Sequence, residues 1–394
     1  MNKHMSKTFL LLMLTAATIV VRAQQAQVNL DWNPQKNTEK LNPYGANQIS
    51  PEVHDDRTVT FRVRAPKAQE VSLAGGPLLL ALGKTAPMPF QKGDGGVWTL
   101  KVGPVKPNIY VYKLTIDGAT VPDPNNTIAG VGGQPPYSQL VVHGDGPAYY
   151  DARNVPHGAV TRHVYHSDVT GGEREMFVYT PPGYNRAKKY PALYLVGGSG
   201  EVASNWALEG RANFILDNLL AEGKAVPMII AMPNNQVVHR SHPKHTELTF
   251  KIYEEELRKH IVPFVEKNYS VQANRKGRAL AGLSMGGRHT QFVGFKALDL
   301  FASFGVLSAG DLDTEKSSAE FLNDPNINKK VDYLFVGQGT HEDKPGTRTN
   351  VLHDVLTKHK VRHEYYVGGE GGHDWGTWRH LLHAKFLPRL WRAK

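Results

Sequence analysis

The sequence predicts two folded domains: a small β-sandwich followed by a larger α/β domain with a doubly wound, mostly parallel sheet. The chain has 394 residues, of which 40% are hydrophobic and 21% are charged, enough for two ordinary globular domains. From about Val53 to Val142, short runs alternate between apolar and polar residues, as half-buried antiparallel strands do. After Gly144, strand patterns alternate with helical ones, as a parallel sheet requires. These patterns predict the sandwich at 51–145 and the α/β domain at 155–394.

The first 23 residues have the pattern of a secretory signal peptide. Lys3 and Lys7 precede an apolar run at 9–21, and short side chains suit cleavage just before Gln24. A membrane span needs about 20 apolar residues, and this run is shorter and interrupted by threonine. We therefore expect a mature protein that is secreted or periplasmic and is not held in a membrane.

The sandwich domain is predicted from five runs with period-two alternation. They are 58–64, 70–73, 96–102, 110–116 and 139–142. Asp117-Gly118 is a hairpin signal. The apolar run at 78–82 does not alternate and fits a strand, a loop or an exposed patch. Before the domain, the polar, Asn- and Gln-rich residues 24–50 predict a flexible arm.

The α/β domain is predicted to start with two antiparallel strands, followed by six buried strands that alternate with helices. The strands are 160–167, 175–180, 192–196, 227–232, 278–282, 302–307, 333–336 and 363–367. The helices are 213–222, 250–268, 287–298, 318–322, 350–360 and 375–392.

Composition excludes several classes of function. The chain has no cysteine, which rules out disulfides, thiolate zinc sites, iron–sulfur clusters and a cysteine nucleophile. The net charge of +10 is spread along the chain without a basic run, so a nucleic-acid partner is not expected. The glycines at 197–200 are not followed by Lys-Ser or Lys-Thr, so a nucleotide site is not expected either.

The segment Gly282-Leu283-Ser284-Met285-Gly286 matches the G-x-S-x-G nucleophile elbow. It follows an apolar strand and opens a helical segment, which is the context that this motif requires. Glycine on both sides leaves room for a sharp turn that exposes the Ser284 hydroxyl. Ser284 is therefore the candidate nucleophile.

A serine hydroxyl needs a base to take its proton, and an acid to orient that base. In the nucleophile-elbow fold the base and the acid follow the serine in the order acid, then His. His373 is the best candidate base because it lies in a loop after the last strand, whereas His380 and His383 lie within the helix pattern. Two carboxylates, Glu342 and Asp343, follow the penultimate strand and compete for the role of the acid.

An acyl-transfer site also needs donors for the oxyanion that forms on the carbonyl oxygen. The glycine-rich loop at 197–200 follows the first parallel strand and can bring one backbone N–H to that oxygen. The N–H of Met285, at the start of the helix after Ser284, supplies the second.

Three groups of residues carry a family resemblance. They are Gly282-Leu283-Ser284-Met285-Gly286-Gly287, Leu193-Tyr194-Leu195-Val196-Gly197-Gly198, and Gly371-Gly372-His373-Asp374-Trp375 leading into Trp378-Arg379. Together they resemble the esterase-D-like enzymes of carbohydrate esterase family one, which include feruloyl esterases and acetyl xylan esterases, over 155–392. Four further segments are Pro51-Glu52-Val53, Val59-Thr60-Phe61-Arg62-Val63, Gly96-Val97-Trp98 and Tyr110-Val111-Tyr112. Through them, residues 50–143 more loosely resemble the immunoglobulin-like domain related to family 48 carbohydrate-binding modules.

The resemblance implies an α/β-hydrolase fold with Ser284 as nucleophile and His373 as base. The family's acid usually stands three places after the glycine of a Gly-x-x-Asp turn, and that position here is Glu342. Because Glu replaces the commoner Asp, Asp343 stays the alternative acid. The family's oxyanion loop often begins His-Gly where this chain has Gly-Gly, so the resemblance implies only a backbone donor there, at Ser199.

The expected function is that of a secreted serine esterase that removes feruloyl or acetyl groups from plant cell-wall polysaccharide, without a metal or organic cofactor. Trp206, Trp375 and Trp378 are candidates for an apolar slot that would bind an aromatic acyl group. Trp98 and Tyr112 could stack on sugars, although a packing or gating role of the sandwich is the stronger expectation.

Two other classes of function stay open. The chain could hydrolyse other esters, such as those of siderophores, or transfer acyl groups on the same fold. It could also be a noncatalytic glycan-binding protein. The sequence does not indicate an oligomeric state.

Overall fold

The computed structural model of the chain describes residues 49–130 and 136–392. The predicted signal peptide and nearly all of the predicted arm at 24–50 lie outside the described residues.

The sandwich domain consists of antiparallel strands arranged in two layers. The strands are β1 (Glu52–Val53), β2 (Val59–Arg64), β3 (Val71–Ala74), β4 (Met88–Pro89), β5 (Gln91–Lys92), β6 (Val97–Val102), β7 (Asn108–Ile116), β8 (Ala119–Val121) and β9 (Ser138–Val142). One layer has the order β1-β2-β6-β5 and the other β4-β3-β7-β8, with β9 also paired to β7. Asp117 and Gly118 join β7 to β8 with positive φ at both residues, as a type I′ hairpin turn requires.

The apolar run at 78–82 mostly belongs to a short helix, α1 (Gly76–Ala81). Pro77 suits the first turn of a helix because its ring fixes φ and its missing N–H has no partner there. Leu78 and Leu79 are buried in the sandwich core, whereas Leu80 is 51% exposed. The helix is therefore anchored by two leucines and presents the third to solvent.

The α/β domain contains one eight-stranded sheet with the order β10-β11-β13-β12-β14-β15-β16-β17. These strands are β10 (Ala159–Ser167), β11 (Gly172–Thr180), β12 (Ala192–Val196), β13 (Ile229–Pro233), β14 (Arg278–Leu283), β15 (Ser303–Leu307), β16 (Tyr333–Gln338) and β17 (Glu364–Val367). The pairs β10–β11 and β11–β13 are antiparallel and the others are parallel. This is the doubly wound, mostly parallel sheet that the sequence predicts.

Helices cover both faces of this sheet. They are α2 (Asn205–Leu208), α3 (Ala212–Ala221), α4 (His245–Glu256), α5 (Val262–Asn268), α6 (Met285–Phe292), α7 (Thr314–Ser317), α8 (Ala319–Leu322), α9 (Ile327–Lys330), α10 (Arg348–Lys358), α11 (Trp375–Leu381) and α12 (Leu387–Arg389). Two π-helical turns, Leu257–Ile261 and Leu382–Phe386, connect α4 to α5 and α11 to α12. Within the described ranges, no helix is long and apolar enough to cross a membrane.

The central strands are buried on both faces, which explains their continuous apolar sequences. Along β12, Tyr194 and Val196 belong to one core cluster, which includes residues of α4, α5 and α10. Leu193 and Leu195 point to the opposite face and belong to a second cluster, with residues of α3 and α11. The parallel strands therefore end together at one edge of a two-sided core, and the loops that follow them meet there.

The two domains are joined by a buried arginine and by apolar packing. Arg379 of α11 is fully buried. Its Nη1 donates to the Glu209 carbonyl oxygen at 2.7 Å and its Nη2 donates to Asn108 Oδ1 at 2.9 Å. Ile109 of β7 belongs to the same apolar cluster as Leu195 of the central sheet. Because unpaired buried hydrogen-bonding groups are costly, these contacts hold β7 against the α/β domain.

Candidate active site

Ser284 lies at the sharp turn between β14 and α6, as the nucleophile-elbow motif predicts. Its backbone has φ 50° and ψ −116°, a positive φ that is uncommon for a residue with a side chain. The Ser284 N–H donates to the Leu307 carbonyl oxygen at 2.9 Å, which ties the turn to the neighbouring strand β15.

The two glycines of the motif are required by close packing. A Cβ at Gly282 would lie 2.4 Å from the carbonyl carbon of Gly286. A Cβ at Gly286 would lie 2.4 Å from the carbonyl oxygen of Val196. Neither distance is sterically possible, so only glycine lets the start of α6 pack against the end of β12.

His373 and Glu342 lie beside Ser284, in loops that follow neighbouring strands. His373, after β17, has its Nε2 at 2.8 Å from Ser284 Oγ. Its Nδ1 lies 2.7 Å from Glu342 Oε1, and Glu342 follows β16. An ionised carboxylate only accepts hydrogen bonds, so Nδ1 carries the proton and Nε2 is free to accept from the serine hydroxyl. This tautomer is the one that a general base needs.

Glu342 is held as a carboxylate by three donors. Besides His373, the Ser308 hydroxyl donates to Oε2 at 2.6 Å and the Gly339 N–H donates to the same oxygen at 3.0 Å. Burial alone would raise the pKa of this carboxyl, but the hydrogen bonds from His373, Ser308 and Gly339 outweigh it and hold the pKa below its ordinary value.

Asp343, the alternative acid, points to a different set of partners. Its Oδ1 accepts from Gln338 Nε2 at 3.0 Å and from Asn350 Nδ2 at 2.8 Å. Tyr365 OH lies farther from the same oxygen, at 3.4 Å. The structure thus brings Glu342, and not Asp343, to the imidazole of His373.

The two backbone donors proposed for an oxyanion lie on adjacent segments. Met285 is the first residue of α6, where N–H groups have no partner within the helix. Ser199 lies in the loop after β12, and this loop touches the start of α6 because a Cβ at Gly286 would also lie 2.5 Å from the Gly197 carbonyl oxygen. Asn235 Nδ2 donates to that same oxygen at 2.8 Å, and this hydrogen bond holds the loop in place.

The candidate tryptophans divide into a buried one and two that line a cavity. Trp206 is only 2% exposed, its Nε1 donates to the Val196 carbonyl oxygen at 3.0 Å, and its ring packs edge-on against Trp375. The hydrogen bond and the packing place this candidate in the core, and it does not line the cavity. Trp375 and Trp378 do line the cavity, and the Trp378 ring lies edge-on to the His373 ring at 5.1 Å.

The cavity lies between the two domains and has a volume of about 1040 Å³. Its walls include Leu80, Lys106 and Tyr137 from the sandwich and Ser199, Glu201, Arg240, His341, His373, Trp375 and Trp378 from the α/β domain. The sequence does not predict the contribution of Leu80 and Tyr137, because no local pattern indicates which face of the sandwich meets the second domain.

The two aromatic residues proposed for sugar stacking are not available for it. Trp98 is 6% exposed and its Nε1 donates to the Ala65 carbonyl oxygen at 2.9 Å. Tyr112 is fully buried and its hydroxyl donates to Asp123 Oδ2 at 2.9 Å. Both belong to the core of the sandwich, which is the packing role that the sequence favours for them.

In the described ranges, no three His, Asp or Glu side chains form a group that could hold a metal ion.

Ser308 is a site residue that sequence reasoning missed. A polar residue directly after a buried parallel strand, here β15, is the signal that could have found it.

Two protein families and one curated relative match the chain. The family described as "Putative esterase" matches residues 167–388, and the family described as carbohydrate-binding module 48 (isoamylase N-terminal domain) matches residues 43–130. The endo-1,4-β-xylanase/feruloyl esterase of Xylanibacter ruminicola is 32% identical over 342 residues, which are 85% of this chain and 45% of that protein. The chain thus spans less than half the length of this relative.

Two solved structures extend the comparison. The ferulic acid esterase of Anaeromyces mucronatus, in complex with ferulic acid, is 25% identical with a TM-score of 0.51, covering 62% of this chain and 96% of that one. The enterochelin esterase of Shigella flexneri is 16% identical with a TM-score of 0.63, covering 87% of this chain and 95% of that one. At this identity the second likeness concerns the fold alone, and it extends over both domains.

Proposed function

The chain belongs to the esterase family and carries a domain of the carbohydrate-binding-module-48 type. We propose that it is a secreted serine esterase acting on plant cell-wall polysaccharide. The groups removed would be feruloyl or acetyl esters, as on arabinoxylan. The xylanase/feruloyl esterase relative and the ferulic acid esterase neighbour support this class of substrate. The observation that carries the proposal is that Ser284 is hydrogen-bonded to His373 and His373 to Glu342, next to the cavity between the two domains.

The proposed reaction has two steps and needs no group from outside the chain other than water. Ser284 Oγ attacks the ester carbonyl while His373 Nε2 takes its proton, and Glu342 stabilises the imidazolium. The N–H groups of Met285 and Ser199 bind the oxyanion. The sugar hydroxyl then leaves with the proton from His373, and water repeats the sequence to release the acid and restore Ser284.

The volume of the cavity favours an aromatic acyl group over an acetyl group. A volume of about 1040 Å³ far exceeds what an acetyl group occupies. Trp375 and Trp378 border the cavity on the side of His373, but they are only 7% and 5% exposed, so each offers a hydroxycinnamoyl ring a small apolar contact. The remaining volume, toward the sandwich, is available to the sugar.

The direct test is the release of ferulate and acetate from feruloylated and acetylated arabinoxylan, measured by chromatography with Ser284→Ala as the blank. We expect serine-dependent release of ferulate. Release of acetate alone would move the assignment to acetyl groups. No release of either by a folded protein would overturn the polysaccharide assignment, and ester formed on an added alcohol would indicate an acyltransferase.

A second prediction concerns the sandwich wall, which is the part of the cavity wall that Leu80, Lys106 and Tyr137 of the sandwich domain form. Replacing Leu80 by aspartate should raise KM for a feruloylated oligosaccharide about tenfold, because a charge would replace apolar surface at the cavity. Hydrolysis of p-nitrophenyl acetate, which has no sugar to contact this wall, should change little. Steady-state kinetics with both substrates measure this split.

Leu208→Asp is the matched control for Leu80→Asp. Leu208 is 54% exposed, close to the 51% of Leu80, but it is not among the residues that line the cavity. If both variants raise KM for the oligosaccharide equally, the sandwich wall does not contribute to substrate binding.

A further inference from the structure

Glu201 is an acidic residue in the loop that carries the proposed oxyanion donor Ser199. Its Oε2 accepts a hydrogen bond from the Gly198 N–H at 2.6 Å. The Gly198 carbonyl oxygen is held from the other side by Gln236 Nε2 at 2.9 Å. The peptide groups on either side of Gly198 are thus fixed by side chains, and the next N–H along the chain is that of Ser199.

The carboxyl group packs closely over the glycines of this loop. A Cβ at Gly197 would lie 3.0 Å from Glu201 Oε2, and a Cβ at Gly198 would lie 3.4 Å from its Cδ and 2.8 Å from Leu283 Cδ1. Glu201 also lines the cavity, beside Ser199. Leu283, the residue before the nucleophile, and the carboxyl of Glu201 therefore both pack against Gly198.

We propose that Glu201 is a positioning residue for the ester hydrolysis: as an uncharged carboxylic acid it fixes the turn that presents the Ser199 N–H, and its ionisation weakens stabilisation of the oxyanion. This inference rests on the proposed function. The reason is electrostatic, because a negative charge on Glu201 would oppose the negative charge that develops on the oxyanion.

The surroundings favour the uncharged form of Glu201. The charge of Glu209 acts on Glu201, and the Glu209 carboxyl accepts from Asn205 Nδ2 at 2.8 Å and from the Tyr137 hydroxyl of the sandwich. A second carboxyl nearby disfavours the charged form of Glu201, because like charges repel. The other charged or titratable residues that line this cavity are Lys106, Lys113, Tyr110, Tyr149, Tyr150, Arg240, His341, Glu370, His373, Asp374 and His380.

Burial raises the pKa of Glu201 to about 8, with the hydrogen bond from Gly198 opposing this shift and the charge of Glu209 adding to it. Glu201 is uncharged below this pKa and ionised above it. We therefore expect kcat to be highest below about pH 8 and to fall as the pH rises through that value.

The test compares the pH profiles of kcat for the wild-type chain, Glu201→Gln and Glu201→Ala, with hydrolysis by Ser284→Ala subtracted at each pH. Glutamine keeps an oxygen for the Gly198 N–H and cannot ionise. We expect it to stay within about threefold of wild type near pH 6.5 and to lack the alkaline fall. Alanine removes the anchor, so kcat should drop roughly 10- to 100-fold at every pH, with a smaller change in KM.

Glu222→Gln provides the control for the same chemical change at a carboxylate outside the cavity, where Glu222 pairs with Arg153. It should keep the wild-type pH profile. The proposal is overturned if Glu201→Gln shows the same alkaline fall as wild type, or if Glu201→Ala keeps the wild-type kcat.

A second readout separates this proposal from the substrate assignment. A p-nitrophenyl phosphonate reacts with an activated serine whatever ester the enzyme prefers, and its rate also depends on the oxyanion donors. Rapid phosphonylation of Ser284 without release of ferulate or acetate would contradict only the polysaccharide substrate, and the effect of Glu201→Gln on the phosphonylation rate at pH 6.5 and 9 would still test Glu201. If Ser284 does not react with the phosphonate and the protein hydrolyses no ester, the serine esterase assignment is wrong. The proposal for Glu201, which depends on that assignment, is then wrong as well.

Discussion

Ser284→Ala is expected to lower kcat for methyl ferulate by roughly 10⁴- to 10⁶-fold, leaving only the rate that binding and the backbone donors provide. The hydroxyl is the group placed at 2.8 Å from His373 Nε2, and alanine removes it without filling the site. Stopped-flow and steady-state assays with the purified variant measure the loss.

The folded state should survive this change because Ser284 holds its turn through its backbone N–H, which alanine keeps. Circular dichroism and thermal unfolding should therefore be close to those of wild type. Ser241→Ala removes the hydroxyl of an exposed serine that does not line the cavity and should keep full activity. If Ser284→Ala retained more than about a hundredth of the wild-type kcat, a serine acyl-enzyme would be excluded.

Glu342→Gln is the second change with a large expected effect, a loss of about 10³- to 10⁴-fold in kcat. The glutamine amide can donate to His373 Nδ1, which moves the imidazole proton to Nε2. In that tautomer the imidazole cannot accept the Ser284 proton. KM should change much less, because Glu342 contacts His373 Nδ1, on the opposite side of the imidazole from Ser284.

Asp343→Asn is the paired control for Glu342→Gln, because the two acids are adjacent in sequence but have different partners. Asp343 accepts from Gln338 and Asn350, so its amide should cost less than about tenfold in kcat. If Asp343→Asn were the more damaging change, the assignment of the acid would have to be reversed.

Glu342 also has a predictable effect on pH stability. Because its pKa is lowered in the folded protein, its contribution to the free energy of unfolding is fully present above the pKa of an unfolded glutamate. That contribution is lost as the pH falls through the folded value. Chemical unfolding should therefore show a smaller acid-induced loss of stability for Glu342→Gln than for wild type.

The sandwich domain affects the site through its position rather than through aromatic residues on its strands. Leu80 of α1 reaches the cavity because Leu78 and Leu79 anchor the helix in the sandwich core. Arg379 and Ile109 then fix the orientation of the sandwich relative to the central sheet. The wall that faces the proposed substrate is thus a consequence of how the two domains pack.

The sequence by itself predicted the eight strands of the α/β sheet in order, five of the nine sandwich strands, and the positions of Ser284 and His373. Those features are local: period-two and helical patterns reflect burial along one element, and a glycine-flanked serine between strand and helix specifies its own turn. The sequence also limited the acid to two neighbouring residues, because the carboxyl ends of parallel strands meet at one edge.

Only the tertiary structure shows that Glu342 contacts His373 and Asp343 does not, that Trp206 lies in the core, and that Ser308 and Glu201 lie close to the site. Adjacent residues in a loop point in different directions, and which of them meets His373 depends on the path of two loops that are 31 residues apart in sequence. The burial of Trp206 depends on Trp375 and Val196, which lie on other elements. Local sequence patterns record how each element buries its own face, whereas these choices depend on contacts between elements distant in sequence.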